Sequence, residues 1–186
     1  YMSFYGITPG LDFDGHPGLS GLQGRVAQAR YTTGNLSVSL EDPLTSVVDN
    51  TNVRQGMPTF TARYEETAGA LSYAWGGLAH QVAVDDGTTD ESAIGFASFI
   101  AANLAITDTL TLQGTLNYSD GANLYLYRSG DNFGAEDAYL DGDDLNTIAG
   151  YAGTVGASLD IGNGRSVNLA YGVATVDWDD AEDDLG

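Results

Sequence analysis

The sequence predicts an all-β protein, a transmembrane antiparallel up-and-down β-barrel, and three observations lead there. Apolar and polar residues alternate with a period of two, short and long connections alternate along the chain, and the acidic residues gather in the long connections. Successive side chains of a strand point to opposite faces, so the first observation gives each segment one apolar and one polar side. The other two give the strands an up-and-down order and the barrel two unlike ends.

Eight strands are expected, near 24–32, 36–42, 59–67, 70–84, 92–106, 109–118, 146–160 and 165–176. In the first, Gln28, Arg30 and Thr32 share a polar phase. In the second, Leu36, Val38 and Leu40 alternate with Ser37, Ser39 and Glu41, and in the third Phe60, Ala62 and Tyr64 alternate with Thr61, Arg63 and Glu65. The fourth contains Gly76-Gly77, read as a bulge that changes phase. The fifth holds the longest apolar run, around 94–106, broken by Ser98 and Asn103. That run is short of the ~20 continuous apolar residues of a membrane helix, so a helical membrane protein is excluded. The sixth is the cleanest: Leu110, Leu112, Gly114, Leu116 and Tyr118 on one side, Thr109, Thr111, Gln113, Thr115 and Asn117 on the other. The seventh is built of small residues that offer lipid little bulk and is expected to face another subunit or a plug. In the eighth, Val167, Leu169, Tyr171 and Val173 oppose Ser166, Asn168, Ala170, Gly172 and Ala174.

The connections at 33–34, 68–69, 107–108 and 162–164 are tight. Those at 10–23, 43–58, 85–91, 119–145 and from 177 onward are longer, as outer loops of a barrel are. All acidic residues except Glu65, Glu66, Asp108 and Asp160 fall in the long connections or at their edges, and 119–145 reads as a long acidic extracellular loop. Tyr31, Tyr64 and Tyr73 lie beside short turns, and Tyr118, Tyr151 and Trp178 beside long loops, as two aromatic girdles would.

Composition agrees. The 186 residues suit one domain, 1–186, read as part of a longer barrel; 25 Gly, 11 Tyr and only 4 Pro suit strands joined by tight turns. Cysteine is absent, which excludes disulfides and thiolate metal sites. With 26 acidic against 6 basic residues, all arginine, the net charge of -20 excludes nucleic acid as a partner, because a polyanion is repelled by a phosphate backbone.

Several ordered segments resemble the DcaP-like porins of bacterial outer membranes: Leu11-Asp12-Phe13-Asp14-Gly15, the strand from Arg25 to Thr32, Asn35 to Glu41, Pro58 to Glu65, and Asp143 to Ile148. The resemblance implies a 16-stranded trimeric barrel, about eight strands of it covered here, whose inward arginines help form a pore for small anionic solutes including dicarboxylates. Arg25, Arg30 and Arg63 match basic positions of that pattern. Leu124, in Gly121-Ala122-Asn123-Leu124-Tyr125, and His80 depart from it by standing where arginines are expected.

The candidate pore-lining residues are Arg30, Arg63, Glu65, Gln28, His80 and Arg25. Arg30 and Arg63 share phases with polar neighbours and so point inward, since a charge on the lipid face near the bilayer middle costs roughly 2–4 kcal/mol. They read either as a basic strip that guides anions or as an Arg/Glu ladder that braces the wall. Arg25 is out of phase with Arg30 and is placed at the rim. Asp141, Asp143 and Asp144 form a candidate loop for loosely bound Ca²⁺ or Mg²⁺, although they lack the spacing of an EF-hand, and a solvated acidic surface is the alternative. No other cofactor is expected. Neither His16 nor His80 has a partner motif, and no nucleophile elbow is present, so an enzyme is not expected.

The expected function is passive diffusion of small hydrophilic solutes across the outer membrane, with outer-membrane lipid and two further copies of the chain as partners. The rival is a surface-exposed barrel or sandwich that binds ions or a partner through its acidic loops. The two differ in which face is wet: a channel has its polar face inside, whereas a sandwich buries the leucine face against a second sheet.

Overall fold

The computed structural model describes residues 27–48, 52–85, 87–126 and 136–177. Its strands are β1 (Gln28–Thr33), β2 (Leu36–Glu41), β3 (Thr59–Ala68), β4 (Leu71–Asp85), β5 (Asp90–Ala105), β6 (Leu110–Asp120), β7 (Ala138–Asp141), β8 (Asp144–Thr147), β9 (Ala149–Gly162) and β10 (Arg165–Val176), with one helical turn, α1 (Asn123–Leu126), after β6. Eight strands form one sheet in the order β1-β2-β3-β4-β5-β6-β9-β10, and β7 pairs with β8 as a separate hairpin. Every pairing is antiparallel. The sheet ends at β1 and β10, so the barrel is not closed among the described residues.

All eight expected strands are present, with four differences. First, β1 is described from Gln28, and positions 24–26 of the expected strand lie outside the described residues. Second, the register of β4 with β3 and β5 runs unbroken through Gly76 and Gly77, so they form no bulge. Glycine is needed at 76 because a Cβ there would press on the carbonyl of Ala62 and stand 3.0 Å from the Phe99 ring. Third, the connection expected over 85–91 is tight, since Asp85 pairs with Asp90. Fourth, the strand expected over 146–160 is two elements. Ile148 leaves both ladders, its N–H donating to Asp137 O (2.9 Å) and its carbonyl accepting from Gly121 N (3.0 Å), which separates β8 from β9.

The short turns follow their residue chemistry. Gly34 and Gly69 have φ of 55° and 63°, and Asn163-Gly164, at 55° and 70°, supplies the two left-handed positions of a tight hairpin turn. Alternation then sets the two faces. The outward face carries large apolar side chains open to the surroundings, among them Trp75, Ile100, Leu116, Val155, Leu169 (75% exposed) and Tyr171 (71%). The inward face carries Ser39, Thr61, Thr115, Asn117, Ser119 and Thr154, all buried. Tyr64, Tyr73 and Trp75 cluster near the short-turn ends of β3 and β4, while Phe96, Tyr118 and Tyr151 cluster toward the other end. Trp178 lies outside the described residues.

Candidate functional site: the polar wall and the loop docked on it

The inward face is a hydrogen-bonded polar lattice over β1–β3 and over β6 and β9, whereas over β4 and β5 it is apolar, with Ala74, Leu78, Ala97, Phe99 and Ala101 packed with Ala122 and Tyr125 of the docked loop. Cross-strand register brings Arg30 opposite Ser39, Ser39 opposite Thr61, Gln28 opposite Glu41, and Arg63 opposite Ser37. Ser39 Oγ lies 2.6 Å from both Glu41 Oε1 and Thr61 Oγ1, and Thr115 Oγ1 lies 2.7 Å from Thr154 Oγ1 across β6 and β9. Hydroxyls act as donor and acceptor at once, so such rows satisfy one another without excess charge.

Four of the sequence-predicted residues fall together on this face. Gln28, Arg30 and Glu65 are exposed there, and Arg63 sits lower in the wall with its side chain 16% exposed and its Nε 2.8 Å from Glu65 Oε1. Arg30 and Arg63 are two strands apart, a lateral separation of roughly 10 Å. His80 is also inward but 3% exposed: its Nε2 lies 2.7 Å from Gly121 O, and its ring meets Tyr125 edge-on at 5.4 Å. It therefore holds the loop above it instead of facing open space. Leu124 is buried in α1. Arg25 lies outside the described residues.

Docking of segment 121–148 was not legible in the sequence. Within the segment expected as one long outer loop, 119–145, described residues of 121–126 and 136–145 pack in part against the inner face. Alpha-turn α1 lies against β5, β6 and β9, and β8 against β5. Tyr125 reaches across the sheet, its hydroxyl 3.0 Å from Thr59 Oγ1 and accepting the Leu44 N–H at 3.3 Å. Asn123, fully buried, donates to the carbonyls of Glu136 (2.8 Å) and Ile148 (2.9 Å) and accepts from Ser119 Oγ (2.6 Å). The small residues Gly150 and Ala152 on the inner face of β9 are buried on this covered side.

Asp137 joins two loops. Its carboxylate accepts N–H bonds from Ser46 (3.1 Å) and Leu124 (3.0 Å), while its own N–H donates to Ser46 O (3.1 Å). Full burial pushes its carboxyl up to about 7, against these hydrogen bonds, which pull it down. Tyr125, half-way into the same contact, has its hydroxyl raised by burial. Close approach of backbone also matters: a Cβ at Gly95 would collide with the Gly121 carbonyl and stand 2.7 Å from His80 Nε2.

The candidate cation loop does not converge. Asp141 pairs with Asp144 across the β7–β8 turn, and Asp143 Oδ1 accepts from Thr89 Oγ1 at 3.3 Å. Among the described residues no group of three or more His, Asp or Glu side chains is arranged to hold a metal ion. No helix among them is long and apolar enough to cross a membrane, which leaves strand crossing untouched.

No family model matches the sequence, and no curated protein matches it. Among solved structures, the fold is similar to the crystal structure of the outer membrane channel DcaP of Acinetobacter baumannii, with a TM-score of 0.77 at 22% sequence identity. The match covers 93% of this chain and 50% of that one, so the chain spans about half the length of the channel it resembles. The all-β porin fold expected from the sequence is thereby borne out.

Proposed function

We propose that the chain forms half of the wall of an outer-membrane channel for passive diffusion of small hydrophilic solutes, with dicarboxylate-like anions as its substrate class. One observation supports this above the rest: the sheet is inverted relative to a soluble protein. Side chains such as Leu169 and Tyr171 stand open on the outward face, while Thr115, Asn117 and Thr154 lie on the inward one. In water such an outward face would have to be covered; against acyl chains it is the stable arrangement. The likeness to an outer membrane channel supports the same reading.

Arg30 and Arg63 are the groups on the open inward face that favour anions, and Glu65 tempers Arg63. The loop docked over β5, β6 and β9 narrows the covered end of the wall. A homotrimer is the assembly implied by the sequence resemblance. The test is the full-length protein in planar bilayers: step conductances are expected, with a lower anion-to-cation permeability ratio in the double variant Arg30→Gln, Arg63→Gln. Absence of conductance would refute the channel, and an unchanged ratio would refute the basic strip.

A further inference from the structure

On the outward face, near the short turn of β3 and β4, a carboxylate stands where the wall is otherwise apolar. Glu66 shares the phase of Phe60, Ala62 and Tyr64, and it is three residues from the left-handed turn at Gly69, within ~10 Å of it along the strand. Two phenol groups converge on it: Tyr64 and Tyr73 both donate to Oε2 at 2.6 Å. Trp75 stacks on Tyr64 with ring centroids 5.9 Å apart. None of the salt bridges among the described residues involves Glu66. The result is a carboxylate near the short-turn end of the outward face, oriented by two phenol hydroxyls, set beside aromatic rings, and in no salt bridge among the described residues.

The same cross-strand row continues as a groove. Register runs from Glu66 to Tyr73, then to Ala102, Gly114, Val155 and Tyr171. Ala102 and Gly114 make a low floor, and Trp75, Ile100 and Leu116 in the adjoining row make one wall, giving a trough of about 750 Å³ that begins at Tyr73 and Trp75. Its lining is apolar and faces outward. An anionic, aromatic mouth joined to an apolar trough is complementary to one kind of molecule, a lipid whose head carries an ammonium group and whose tail is a hydrocarbon chain.

We infer that this surface is a binding site for an amine-headed phospholipid, with the ammonium at Glu66 between Tyr64 and Tyr73 and one acyl chain along the trough floored by Ala102 and Gly114. Charge complementarity selects the head: an ammonium donates to the carboxylate lone pairs that the two hydroxyls leave, whereas an anionic head is repelled. The trough alone would not distinguish lipids, because any acyl chain fills it. Headgroup preference is therefore the signature of the site.

The experiment uses the full-length protein in mild detergent, offered equal amounts of phosphatidylethanolamine and phosphatidylglycerol, with bound lipid read by native mass spectrometry. The wild type is expected to retain the ethanolamine lipid about five- to tenfold better, the scale of one charge-assisted contact. Glu66→Gln is expected to bring the two lipids level, and Ala102→Phe, which fills the trough from an existing Cβ, to lower retention of both. Equal retention by the wild type, or a preference that survives Glu66→Gln, would overturn the proposal. So would a change of oligomeric mass in Ala102→Phe with lipid retention unaltered, which would make the trough a seat for a second copy of the chain. The wild-type preference is a readout even where a variant fails to fold, and conductance of the same samples tests the channel separately.

Discussion

Replacing Asp137 tests whether the inner loop is held in place by one buried carboxylate. In Asp137→Ala the Ser46 and Leu124 N–H groups lose their acceptor inside the protein, where each unsatisfied donor costs ~1–3 kcal/mol, so docking should weaken by roughly 2–6 kcal/mol. Docking of wild type should also depend on pH, with a definite sign. The carboxyl titrates near 3.8 when solvated and at about 7 when docked, so the docked form holds its proton more tightly. The resulting stabilisation is fully present below about 3.8 and is lost as pH rises through about 7, at up to about tenfold in the docking equilibrium per pH unit. Asp137→Asn removes the carboxyl and should lose the part of the pH dependence that Asp137 contributes, at the expense of turning one NH₂ toward a donor. Hydrogen exchange of amides 44–48 and 121–126, followed from pH 5 to 8 in the full-length protein and normalised for the intrinsic rate, reads this directly. Equal protection in wild type and Asp137→Ala, or the same pH dependence in wild type and Asp137→Asn, would refute the reasoning.

Three further perturbations follow from the same geometry. Gly95→Ala puts a methyl against the Gly121 carbonyl and should undock α1, seen as lost protection at 121–126 and a larger single-channel conductance. His80→Leu removes the partner of Gly121 O and should cost about 1–3 kcal/mol of loop docking, less than Asp137→Ala, read by the same exchange experiment. Leu116→Arg, on the outward face, should destabilise the folded barrel by roughly 2–4 kcal/mol in urea titrations in lipid, while Gln113→Arg, three residues away but inward, should change stability little and alter ion selectivity.

The wall was legible because a strand writes its two faces in alternate residues. Leu112 to Tyr118 declare an apolar and a polar side regardless of what lies beyond them, whereas their partner β5 is apolar on both faces, its inward Ala97, Phe99 and Ala101 being covered by the docked loop. The turns were legible because Gly34, Gly69 and Asn163-Gly164 occupy left-handed backbone that few other residues adopt. The docked loop was not legible. Asp137 and Tyr125 look like ordinary loop residues, and their roles arise in part from partners 66 to 91 positions away, Thr59 and Ser46, that no local pattern links to them. His80 shows the same limit at a single residue: the resemblance gave it a pore-lining position, but only the position of Gly121 decides that it is covered. Gly76 was misread for a related reason, since a glycine that admits the Phe99 ring has the same sequence signature as a bulge.

The strand order also bears on how such a wall assembles. Six of its seven neighbouring pairs join strands linked by short or moderate connections, so they form as hairpins whose ends are brought together at small entropic cost. The pairing of β6 with β9 is different, because segment 121–148 intervenes. Early closure of the β7–β8 hairpin, whose register is set at the Gly142 turn, shortens the flexible length that β6 and β9 must close. The topology therefore contains one long-range closure, that of β6 with β9, and it spans the segment that docks on the inner face.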